Sequence, residues 1–203
     1  MRYVWINPVT DRMYDREELN CFLKNHGFCR VNCREDWGAA VREKYRKLTK
    51  EVTGAVADVR CPVVERLLRE MDHPGLTAPD IEPILLHCAR EISGRADLQG
   101  WEKVITTPCA ALAEAGNRLG LPETEFVPWN RFLGRLGVKF PGKPLEGSPI
   151  PPGFFGSSEK TNVVTGPETV ERYLKEKGWR GAEMVEFLYC DGGCHSGDGV
   201  TGL

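Results

Sequence analysis

The sequence has no apolar stretch approaching the roughly 18 residues that cross a bilayer. Its first apolar run, Tyr3 to Ile6, is too short for the core of a secretory signal, so membrane insertion and export are both unexpected. Charge of one sign is also missing. Lys and Arg number 27 against 29 Asp and Glu, a net charge of −2 that gives no basic excess to attract nucleic acid. The expectation is a cytoplasmic protein. At 203 residues it can bury a sizeable core without covalent cross-links. Its eight cysteines then read as buried thiols, metal ligands or catalytic thiols rather than a disulfide framework.

Short apolar runs alternate with segments of helical period, the pattern of an α/β fold. Strands are predicted at Tyr3 to Ile6, in "FCRVN", in "GAVADV" (54–59), in "KVITT" (103–107), in "EFVPW" and over 183–189. Helices are predicted at 15–26, around Trp37, Val41, Tyr45 and Leu48, along Val64, Leu67, Leu68 and Met71, and along Ile81, Ile84, Leu85, Cys88 and Ile92. Others follow in "AALAEAGNRLG", around Phe132, Leu133 and Leu136, and at 167–177. Cys88 belongs to an apolar stripe and reads as core. Residues 139–162, dense in Pro, Gly and Ser, read as a long connection. Two α/β lobes with mostly parallel sheets are expected, 1–97 carrying Cys61 and 98–203 carrying Cys109, Cys190 and Cys194.

Three apolar runs end in cysteine: "ADVRCP", "ITTPCA" and "VEFLYCDGGC". Open parallel sheets bind ligands outside the carboxyl ends of their strands, so Cys61, Cys109 and the Cys190/Cys194 pair are candidates to converge on a metal. The chain lacks two close C-x2-C pairs of the zinc kind. One C-x3-C pair with two distant single cysteines favours an iron–sulfur cubane, and Gly192 and Gly193 would let backbone N–H groups approach it. The alternative is a loose Gly-rich tail with incidental cysteines.

These stretches resemble the catalytic domain of the iron-only (di-iron) hydrogenases. "VEFLYCDGGCHSGDG" is similar to the family's third signature, E-x-M-A-C-x-G-G-C-x-x-G-G-G, "VITTPCAALAEA" to the second, and "ADVRCPVVERL" to the first, in the same order. The likeness runs from about residue 3 to 199 and includes "GFCRVNCREDWGAAVREKYRKL" and "GFFG"; only the third signature is specific by itself. It implies two flavodoxin-like lobes with a metal site between them, a 4Fe-4S cluster held by Cys61, Cys109, Cys190 and Cys194.

Departures fall on the di-iron half of the implied site. The first signature's proton-relay cysteine is Arg60 here, and the second signature's cyanide-binding lysine is Leu112. Arginine stays protonated and leucine donates no hydrogen bond. The expectation is therefore a cluster protein without the di-iron subsite, acting in electron transfer or in redox or cluster sensing, as a subunit of a larger complex or with a redox-protein partner. An iron–sulfur enzyme holding a small anionic substrate at Arg60, and a minimal hydrogenase, are the alternatives. Glu186 is a candidate proton carrier or a surface carboxylate, and His195 a proton handler or a solvated side chain. Cys21, Cys29 and Cys33 are candidates for a further metal or redox site or for ordinary thiols, and Asn7 and Pro8 for pocket lining.

Overall fold

The computed structural model describes residues 2–149, 152–156 and 160–201. Of the expected 139–162 connection, residues 150, 151 and 157–159 lie outside the described residues. The chain divides into two compact units, one of Met1–Glu35, Leu85–Pro149 and Cys194–Leu203, the other of Asp36–Ile84 and Ile150–Gly193. Both units are discontinuous in sequence, whereas the sequence reading expected a single cut after residue 97. The expected α/β class with parallel sheets is present, one sheet in each unit.

The first unit begins with β1 (Arg2–Trp5), followed by α1 (Pro8–Met13), α2 (Arg16–Asn25) and β2 (Phe28–Arg30). It resumes through α5 (Ile84–Gly94, within this unit from Leu85), β5 (Glu102–Thr107), α6 (Ala110–Asn117), β6 (Thr124–Pro128) and α7 (Trp129–Leu136). All neighbours in its sheet are parallel, in the order β2-β1-β5-β6. The helix over 15–26 is confirmed as α2, with Asp15 accepting from the Glu17 and Glu18 N–H groups at its start. α1 was not foreseen. Its Asn7 cap is fully buried and accepts from Thr10 N, while its amide donates to Thr10 and Thr106. Asn7 is thus committed to holding α1 against β5. Aromatic packing closes this unit: Phe140 stacks on Tyr14 and Phe22 at 4.4 and 4.1 Å, and the buried Trp129 indole donates to the Tyr14 hydroxyl.

The second unit holds α3 (Trp37–Glu51), β3 (Ala55–Ala57), α4 (Pro62–Arg69), β4 (Leu76–Thr77), β7 (Thr161–Thr165), α8 (Pro167–Lys175) and β8 (Met184–Leu188), with strand order β4-β3-β8-β7, again all parallel. Side chains alternate between the faces of a strand, and the two faces of this sheet differ. Ala55, Ala57, Val185 and Phe187 pack with Val64, Leu68, Val170 and Leu174 of α4 and α8. Val56 and Met184 point the other way, onto Val41 and Tyr45 of α3. Asp58 and Glu186 continue that second alternation, each two residues beyond an apolar member of the α3 face. Two carboxylates therefore stand where the pattern calls for apolar side chains.

Candidate functional site

The two carboxylates are fully buried, and Arg60 between them is 7% exposed. Asp58 follows β3 directly, its N–H still donating to Val185 O of β8 at 2.8 Å, so the sheet fixes its position. The Arg60 Nε donates to both Asp58 oxygens at 2.9 and 3.1 Å, and its Nη2 donates to Asp58 at 2.7 Å and to Glu186 at 2.8 Å. The Arg60 N–H also donates to Asp58, at 3.0 Å. Tyr45 of α3 completes the arrangement, accepting from the Val59 N–H at 3.0 Å and donating to Asp58 at 3.4 Å.

Glu186 in turn holds the Phe154 turn. Its oxygens accept from the Gly153 N–H at 2.7 Å and the Phe154 N–H at 3.1 Å. The Phe154 ring covers the Arg60 guanidinium at 4.0 Å, with Phe155 at 5.0 Å. A second arginine, Arg42 of α3, lies over Phe154 at 4.4 Å and donates to its carbonyl. Phe155 packs edge-on against Tyr45 at 4.8 Å. The "GFFG" segment is thus a cover clamped by one carboxylate and two guanidinium groups.

The electrostatics follow from this geometry. Burial works against the Arg60 charge, but Asp58 and Glu186 outweigh it and leave its pKa raised. Burial raises the Glu186 pKa above its ordinary value, opposed by Arg60 and the two turn N–H groups. Burial and the Asp58 charge also raise the Tyr45 pKa. With two carboxylates around one guanidinium, the cluster carries no surplus positive charge. Arg60 is therefore no docking group for an anionic substrate, which corrects that expectation. Glu186 is no surface carboxylate either. Asp58, Tyr45 and the paired phenylalanines were missed as site residues, although a carboxylate inside the apolar run "GAVADV" was the available signal.

The expected cluster is not borne out. Among the described residues no group of three or more His, Cys, Asp or Glu could hold a metal ion. This overturns the 4Fe-4S cofactor, the electron-transfer and cluster-sensing function built on it, and the iron–sulfur enzyme alternative. The four cysteines divide by unit: Cys61 and Cys190 belong to the second, Cys109 and Cys194 to the first, all of intermediate exposure. Burial raises the Cys61 pKa, so its thiol keeps its proton, despite backbone N–H groups of Val63, Val64 and Tyr189 donating to the sulfur. Cys21 and Cys29 are exposed, and Cys33 is of intermediate exposure.

The tail expected to be pinned by the cluster is held another way. Within the first unit, Gly199 N donates to Pro108 O at 3.0 Å, and Asn130 binds residues 198 and 199 through its own N–H and its amide. Asp198 accepts from the Ala110 N–H at 2.9 Å and so caps α6 from a distance. A Cβ on Gly197 or Gly199 would lie 2.3 or 2.8 Å from Pro108 O, so these glycines serve backbone-to-backbone approach. Gly192 and Gly193 sit at φ 66° and 121° in the preceding turn, where Gly193 N donates to Cys190 O. His195 lies in a short turn of the first unit, whereas Arg60 and Glu186 belong to the second, and its buried Nδ1 has no hydrogen-bond partner among the described residues. Leu112 is buried in α6.

No protein-family model matches the chain, and no curated protein matches it. Among the described residues no helix is long and apolar enough to cross a membrane.

Proposed function

We propose that this chain is a short, divergent relative of the iron-only hydrogenase catalytic domain that carries out no hydrogen chemistry and works in the cytoplasm as a subunit of a larger complex. The observation that carries this reading is Arg60. It occupies the position that the resemblance assigns to a proton-relay thiol, and there its guanidinium is buried, charged and tied to Asp58 and Glu186. A group whose pKa is raised by two carboxylates cannot give up and regain a proton during turnover. Relay chemistry has been exchanged for a structural ion network that holds the Phe154 turn.

Leu112 supports the same reading, because an apolar core side chain stands at the resemblance's cyanide-binding lysine. The test has two parts. Protein produced together with hydrogenase maturation factors is assayed for exchange between H2 and D2O, and its size is measured in unfractionated cell extract. No exchange and a size well above that of the chain or its simple oligomers are expected. HD formation would overturn the first half, and migration as the isolated chain would overturn the second.

A further inference from the structure

Cys33 and Cys88, distant in sequence, meet in the first unit. Cys88 is buried on α5, and Cys33 sits partly exposed in the segment after β2, each thiol being the strongest influence on the other's ionisation. The contact is built rather than incidental. Glu91, one turn along α5 from Cys88, accepts from the Arg34 N–H at 2.7 Å and the Glu35 N–H at 3.2 Å. Arg95, just past the helix end, donates to Asn32 O at 3.0 Å and to Asp97, which also receives Arg34. Hydrogen bonds on both sides of Cys33 thus fasten its backbone to α5 above Cys88.

We propose that Cys33 and Cys88 form a reversible disulfide, a thiol switch independent of the function proposed above. The oxidant is a low-molecular-weight disulfide, RSSR. Cys33 thiolate attacks one sulfur, the Cys33–SR bond forms, the S–S bond of RSSR breaks, and RS⁻ leaves and takes up a proton. Cys88 then loses its proton and attacks the Cys33 sulfur, forming the Cys33–Cys88 bond and releasing the second RSH. Two protein thiols are oxidised and one RSSR is reduced to two RSH. A dithiol reductant reverses both steps.

The two cysteines divide the labour as exposure and surroundings dictate. The neighbouring Cys88 thiol lowers the Cys33 pKa, with help from the Trp5 side chain and the Arg95 charge, against burial and Glu91. The same pairing, with burial, raises that of Cys88. Cys33 is the attacking thiol and Cys88 the resolving one. Cys33 lies two residues before the chain leaves the first unit at Glu35, and Cys88 three residues after it returns at Leu85. The bond would therefore close a ring containing the whole Asp36–Ile84 segment.

The full chain, reduced and then freed of reductant, is exposed to oxidised glutathione, its remaining thiols are alkylated, and it is digested with trypsin. The expected product joins the peptide VNCR (31–34) to the peptide 70–90, disappears on treatment with dithiothreitol, and is accompanied by a higher denaturation midpoint of the oxidised protein. Cys88→Ser should leave glutathione on Cys33, and Cys33→Ser should leave Cys88 unmodified. Should Cys88→Ser fail to fold, native-state alkylation decides instead, with Cys33 reacting at least about tenfold faster than Cys88. Glutathione retained on Cys33 beside an alkylated Cys88 in the wild-type protein would overturn the proposal, as would alkylation of the two at equal rates.

Discussion

Replacing Arg60 by methionine keeps an unbranched apolar stem and removes the guanidinium with its charge, so Asp58 and Glu186 remain buried without their shared partner. Asp58 would keep the Arg60 N–H and Tyr45, and Glu186 the Gly153 and Phe154 N–H groups. Breaking a buried ion pair in this one-sided way costs about 3–5 kcal/mol, a large share of the about 5–15 kcal/mol that holds a domain together. The loss must depend on pH. Burial already raises the Glu186 pKa above its ordinary 4.5, and without Arg60 the rise is larger. A carboxyl with a higher pKa folded than unfolded favours folding at low pH and loses that contribution as pH climbs through the folded value. R60M should therefore lose most stability at pH 8 and less at pH 5, measured by urea denaturation followed by circular dichroism. The triple variant D58N/R60M/E186Q, with no buried charge left, should recover much of the loss. A loss below about 1 kcal/mol, equal losses at both pH values, or no recovery in the triple variant would refute the buried network.

Glu186→Gln should speed hydrogen exchange at the Gly153 and Phe154 amides, which lose a charged acceptor, and cost about 1–3 kcal/mol; unchanged exchange there would mean that the turn is held by its rings alone. Asp198→Ala should cost about 1 kcal/mol by uncapping α6. Gly199→Ala should cost more, because its Cβ would meet Pro108 O at 2.8 Å; the reverse order in denaturation would contradict the tail's attachment. The Asp97 carboxyl, held down to about 2 chiefly by its hydrogen bond from Arg95, should titrate near there by NMR and return toward its ordinary 3.8 in Arg95→Gln. Its stabilising contribution is present above the ordinary value and fades as pH falls toward 2.

Elements with strong periodicity were legible in the sequence: the stripe of Val64 and Leu68 gave α4, and the run ending in Thr107 gave β5. β4 escaped notice because two residues carry no period, and β7 because Thr161–Thr165 begins inside a Pro- and Gly-rich connection. The single cut after residue 97 missed a chain that crosses between units and returns. Resemblance singled out Arg60 and Glu186, but not their union across 126 residues of sequence. That pairing depends on strand register, which places Val56 opposite Met184 and so brings the carboxyl ends of β3 and β8 side by side. Counting cysteines at strand ends pointed to a metal, because spacing says which thiols leave a sheet and nothing about whether their side chains gather into one group among the described residues.

The buried network turns on the state of one guanidinium, and NMR of protein carrying 15N-labelled arginine observes it directly. The buried Arg60 should give a protected Nε–H resonance that persists from pH 5 to 9 and collapses toward solvent exchange in Asp58→Asn. An Arg60 signal exchanging as freely as those of the surface arginines in the wild-type protein would contradict the account.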